Sequence, residues 1–257
     1  MPRFFSSRAF LLPLLLGLGL TACQSLSPPD KPPVAFRHDL TEVRAKGCQG
    51  EHCPMVNLDT LFFPDRPVLN RLIDAHLRAM TLYNLDDPLP ASLLSYQEDF
   101  LAKAQPGWST WLQAQIRDWH GQVLVIELSS YLFQGGAHGI PGRAFINYQL
   151  EENRALSLQD MLKPGKEGAF WRLVEVQHKE WVRKNHAEDL IGFMQQWPFR
   201  ATPNIALLRD RILLKYDVGE IAPYSSGHPE LSLTYAQLQD VLRDKYLNKP
   251  KSALPWF

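Results

Sequence analysis

Between Trp108 and Leu150 the chain alternates apolar and polar residues in three successive runs, and a period of two admits strands rather than helices. Trp108 to Trp119 sets Leu112, Ala114 and Ile116 on one face. Val123 to Phe133 is dense in branched and aromatic residues, and His120-Gly121 before it reads as a two-residue hairpin turn. Ala144 to Leu150 alternates again through Ala144, Ile146, Tyr148 and Leu150. Strands joined so tightly must run antiparallel.

Around this block the period changes to that of a helix. Met55 to Phe63 reads as a first strand, followed by a helix capped by Asp65, with Pro67 in its first turn. Leu69, Leu72, Ile73, His76, Leu77 and Met80 recur at three and four. Pro88 and Pro90 end that unit, and Leu93 to Ala104 is a second helical stretch, stopped at Pro106-Gly107. Glu151 to Arg154 reads as a turn, Ser157 with Asp160 as a capping box for a short helix, and Lys166 to Lys184 as a longer helix. Ile205–Leu208, Arg211–Tyr216 and Leu231–Thr234 read as strands. Thr234 with Gln237 is expected to cap a closing helix bearing Tyr235, Leu238, Val241, Leu242 and Tyr246. Strands and helices mix without regular alternation, so the expected class is α+β: a largely antiparallel sheet with packed helices.

The N-terminus reads as an address. Arg3 and Arg8 precede an uncharged apolar run, Phe10 to Leu20, too short to span a bilayer as a mature helix. It ends Leu20-Thr21-Ala22-Cys23, which resembles the bacterial lipobox: cleavage would leave Cys23 lipid-modified, and two or three acyl chains hold a protein firmly to a membrane. Gln24 in place of Asp favours the outer membrane, facing the periplasm. Residues 1–22 are therefore expected to be a signal peptide and 23–46 a lipid-anchored, Pro-rich tether. Residues 47–106 are expected as a strand-helix subdomain and 107–257 as a C-terminal domain.

Cys48 and Cys53 remain after processing. In an oxidising compartment a disulfide is the favoured reading. A metal site with His52 competes, but two thiols and one imidazole are one ligand short of structural zinc. No metal or other cofactor is expected. With the leader removed, 25 basic and 27 acidic groups would remain, which gives no electrostatic reason to seek a nucleic acid partner.

Catalytic signatures fail. There is no Gly-x-Ser-x-Gly elbow around Ser226-Gly227 and no His-Glu-x-x-His. Glu151 and Glu152 are adjacent, and so unsuited to act as a pair. His178 and His186, at a presumed helix end, read as surface residues. Of the tryptophans, Trp111, Trp171 and Trp181 fit core packing, leaving Trp108 and Trp119 as freer candidates for ligand contact.

The segment Tyr131-Leu-Phe-Gln-Gly135-Gly136-Ala137-His138-Gly139 resembles the signature of the RsiV-type extracytoplasmic domain, a domain of unknown function also found with PdaC-type peptidoglycan deacetylases. Asn147-Tyr-Gln-Leu150 with Ala155 to Leu162, and Tyr216 with Glu220-Ile-Ala-Pro-Tyr224-Ser-Ser-Gly227, are similar to its later features. The resemblance spans residues 108–247. It implies an α+β fold outside the cytoplasmic membrane and, by the RsiV precedent, lysozyme binding. The chain departs from RsiV in showing no cytoplasmic sigma-binding region or membrane-spanning helix, and it carries no deacetylase domain. The expected function is that of a lipid-anchored periplasmic binding or sensor-like module, whose partner is lysozyme or a peptidoglycan-related ligand. An enzyme using His138, or a purely structural envelope lipoprotein, is the alternative. The candidate ligand-binding residues are Gly135, Gly136, His138, Gly139 and Tyr224. For each, the bland reading is a strained connection whose glycines serve the backbone and whose His138 and Tyr224 pin the turn.

Overall fold

The computed structural model describes residues 32–84 and 86–247, so the expected signal peptide and Cys23 lie outside the described residues. A six-stranded sheet runs in strict chain order: β1 (Arg37–Arg44), β2 (Met55–Phe62), β3 (Ser109–His120), β4 (Val123–Phe133), β5 (Ile140–Gln149) and β6 (Arg154–Ala155). All neighbours are antiparallel except β2 and β3, which run parallel. A parallel pair needs a long crossover, which here holds α1 (Pro67–Ala79) and α2 (Leu93–Lys103). A second, three-stranded antiparallel sheet follows, in the order β7 (Ile205–Leu207), β8 (Arg211–Lys215), β9 (Glu230–Thr234). Helices α3 (Leu158–Met161), α4 (Glu167–Asn185) and α5 (Leu190–Gln196) lie between the two sheets in sequence. The fold is α+β.

Strand β4 divides the interior. Successive strand side chains point to opposite faces. Leu124, Ile126 and Leu128 enter a core with Leu69, Ile73 and Leu77 of α1. Val123 and Val125 enter a second core with the three-stranded sheet and with Phe170 and Val174 of α4. Burying each such aliphatic side chain contributes about 1.5–3 kcal/mol, so β4, buried on both faces, is the spine of the molecule.

A buried side chain stitches the sheets together. Asn147 on β5 donates from Nδ2 to the Ile205 carbonyl at 2.7 Å, and its Oδ1 accepts from Leu207 N at 2.7 Å. It thereby closes the outer edge of β7.

Several expectations need correction. Residues 37–44 belong not to a tether but to an edge strand, paired along its length with β2. The sheet runs through the expected boundary at residue 106, since β2 pairs with β3. Asp65 does not cap α1: Arg66 occupies the N-cap, without a side-chain bond, and Pro67 leads the helix. The β3–β4 turn is Gly121-Gln122, one residue later than read, because His120 already pairs with Val123. Residues 235–242 are not a closing helix. Thr234 and Gln237 do make the expected cap bonds, but the Tyr235 hydroxyl donates to the Leu208 carbonyl and Leu242 bridges to Leu162, so tertiary contacts hold the segment in turns. A short 3₁₀ turn at Asp244–Tyr246 follows. The capping box of Ser157 and Asp160 forms as expected.

Cys48 and Cys53 are disulfide-bonded in the β1–β2 loop, as the sequence favoured, and His52 is exposed beside them. Among the described residues no helix is long and apolar enough to cross a membrane.

Candidate functional site

Two loops converge at the end of β4 and β5. The first, Gln134 to Gly139, links the strands through Gly135 (φ +90°) and Gly136 (φ +89°), left-handed conformations that favour glycine. Gly139 is buried for a different reason. A Cβ there would lie 2.6 Å from the Tyr131 hydroxyl and closer still to its ring. The Gly139 amide donates to that hydroxyl at 3.2 Å.

The second loop joins β8 to β9. Asp217 N donates to the Glu220 carboxylate at 3.0 Å, Ile221 and Ala222 are buried, and a 3₁₀ turn, Tyr224–Ser226, ends at Gly227 (φ +66°). The Tyr224 hydroxyl then donates to the Gly139 carbonyl at 2.9 Å, and its ring stacks on His138 with centroids 4.8 Å apart. The structure therefore brings His138, Gly139 and Tyr224 together. Gly135 lies apart from that stack, with the place of its Cβ 3.8 Å from Trp108 Nε1, and no side-chain neighbour approaches the Cβ position of Gly136.

The second loop also carries a set of titratable groups that sequence reasoning did not single out as a site. The Asp217 carboxylate accepts from Arg143 N at 2.9 Å, anchoring the second loop to β5. His228 Nδ1 sits 3.0 Å from the Tyr216 carbonyl and 3.7 Å from Asp217, and its buried Nε2 has no hydrogen-bond partner. Burial raises the pKa values of Asp217 and Glu220, opposed by the backbone N–H each accepts. Burial lowers that of His228, opposed chiefly by its bond to Tyr216. These groups tie loops to strands. Their only signal in the sequence was their place inside the Tyr216–His228 segment.

The remaining candidates resolve individually. Trp108 packs against Phe100, and Trp119 lies under the Arg209 guanidinium; both are partly buried. Trp171 and Trp181 pack against the core as expected, while Trp111 is partly buried and belongs to neither core cluster. His178 is not a surface residue: it is fully buried. His186 stacks on Phe193. Glu152 pairs with Arg154 and Lys245 across a turn. Among the described residues no group of three metal-ligating side chains comes together.

His138 is exposed and, among the described residues, makes no side-chain hydrogen bond to a carboxylate or hydroxyl. Tyr131, Ile140 and Tyr224 are large apolar or aromatic side chains left exposed, at 36%, 52% and 41%. They gather around the Gly139 peptide.

Two sheets on one spine, with an exposed aromatic patch where their loops meet, make up an α+β domain. Comparison with known proteins is more specific. Residues 159–236 match a family described as "protein of unknown function (DUF3298)". The crystal structure of a DUF3298 family protein from Pseudomonas aeruginosa PAO1 is 47% identical, covers 86% of this chain and 99% of its own, and superposes with a TM-score of 0.79. This chain belongs to the DUF3298 family. A family member from Bacteroides fragilis, 19% identical over 82% of this chain and 94% of its own, shares the fold at a TM-score of 0.64. Over 135 residues, 51% of this chain, the sequence is 25% identical to the Bacillus subtilis peptidoglycan-N-acetylmuramic acid deacetylase PdaC. The match spans only 28% of that enzyme.

Proposed function

We propose that this protein is an envelope-associated binding module, lipid-anchored through Cys23 to the outer membrane and facing the periplasm. Its partner is a lysozyme-type muramidase or a peptidoglycan-related ligand. The observation that carries this reading is the exposed His138–Tyr224 stack, pinned to Gly139 and flanked by Tyr131 and Ile140. Exposed apolar and aromatic side chains on a rigid support mark contact surfaces. The likeness to one segment of a deacetylase named for peptidoglycan supports a cell-wall setting. The chemistry of that enzyme is not carried over, and the isolation of His138 speaks against an acid–base role.

The test is calorimetric titration of the purified protein with hen-type lysozyme and with soluble muropeptides, beside an assay of lysozyme inhibition. Micromolar or tighter binding, weakened at least about tenfold by H138A, is the expected result. No heat with either ligand class would overturn the reading and leave a structural envelope protein. Membrane attachment is tested separately: C23S should lose metabolic labelling with palmitate.

A further inference from the structure

The three-stranded sheet has one closed edge and one open one. At β7 the Asn147 side chain occupies the outer backbone groups. At β9 nothing does. Tyr216 N donates to the Pro229 carbonyl at 2.9 Å, so residues 229, 231 and 233 face β8, and Glu230 and Ser232 turn their N–H and C=O groups outward. Among the described residues none of these four groups has a hydrogen-bond partner.

That edge forms one wall of an open groove of about 610 Å³, whose other wall is the α4 stripe of Gln177, Trp181 and Lys184. By contrast β1, an edge of the larger sheet, carries Arg37, Asp39, Glu42 and Arg44, the charges that natural edges use to deter pairing. Within the groove, Arg183 is held by Glu180, and Glu230 by Lys215. Lys184 is left as the cation with no ion pair among the described residues.

We propose that the groove between β9 and α4 binds an extended, acidic peptide segment of a partner protein by strand addition. Two donor–acceptor pairs two residues apart repeat at about 7 Å, the spacing of another strand. Trp181 offers an apolar wall for one of its side chains, and Lys184 meets a carboxylate, from an acidic side chain or a chain end. The site is distinct from the His138–Tyr224 patch and does not rest on it.

The probe is a labelled, acetylated hexapeptide of alternating valine and threonine ending in aspartate, with a counterpart ending in lysine. A third version has alternate amides N-methylated. Fluorescence anisotropy with the purified protein should give binding for the acidic peptide. Binding should be at least about tenfold weaker for the N-methylated peptide and severalfold weaker for the lysine one. S232P removes an outward N–H that serves no ladder bond, a position where an edge strand tolerates proline, and should abolish binding without lowering the melting temperature. If S232P fails to fold, the N-methylated peptide asks the same question of the intact protein. Y224A and H138A should bind the peptide normally. No binding up to about 1 mM, binding indifferent to N-methylation, or self-association of the protein through β9 in place of peptide binding would overturn the proposal.

Discussion

The Tyr224 hydroxyl reaches across the gap between two loops to donate to the Gly139 carbonyl at 2.9 Å. This one bond joins the β8–β9 loop to the β4–β5 loop at their exposed tips. Y224F deletes it and keeps the stack on His138. Unfolding in urea should show a loss of about 1 kcal/mol, the usual worth of such a bond. Y224A should cost more and also remove the aromatic surface.

Gly139 is small because Tyr131 lies over it, with φ outside the left-handed range. G139A must push a ring and its hydroxyl aside, costing about 1–3 kcal/mol. Near-ultraviolet circular dichroism should register the displaced tyrosine. Gly136, by contrast, has open space and φ +89°, so G136A should suffer from backbone strain alone, about 1 kcal/mol.

Asn147 satisfies a buried carbonyl and a buried amide of β7 at once. N147A leaves both unpaired in the core, at about 1–3 kcal/mol each. The denaturation midpoint should fall further than for any surface substitution. N147D retains an acceptor for Leu207 N but brings a buried carboxylate, and should be no better at neutral pH.

His178 is fully buried, and neither ring nitrogen makes a full hydrogen bond. Burial lowers its pKa, partly opposed by the nearby Glu175. A base with a depressed folded-state pKa binds fewer protons folded than unfolded, so its site loses stability as pH falls below about 6.5, the unfolded imidazole value. The stability difference between H178L and wild type should therefore widen in favour of the variant from pH 8 to pH 5. A constant difference across that range would refute the assignment.

Much of this architecture was legible in the sequence because apolar period reports burial. Val123–Phe133 was read to its ends: its first eight residues are almost all buried on both faces, and branched and aromatic residues continue to Phe133. Edge strand β1 was not: most of its residues are exposed, so its side chains leave no periodic trace, and its prolines upstream suggested a tether. The closing segment shows the opposite failure. Its apolar spacing and cap are helical, but Tyr235 and Leu242 are claimed by distant partners, Leu208 and Leu162. Glycine-rich loops marked the patch, while the contact of Tyr224 with Gly139, so far away in sequence, had no local signature.

The single parallel pair also sets an order of events. β1 and β2 can meet as a local hairpin clipped by Cys48–Cys53, but β2 gains its second neighbour only when β3 arrives after two helices. Closing so long a loop is slow relative to hairpin formation. A chain entering an oxidising compartment N-terminus first would thus seal its disulfide while β2 still exposes an unpaired edge. A brief window of vulnerability to aggregation or to chaperone capture is built into the topology.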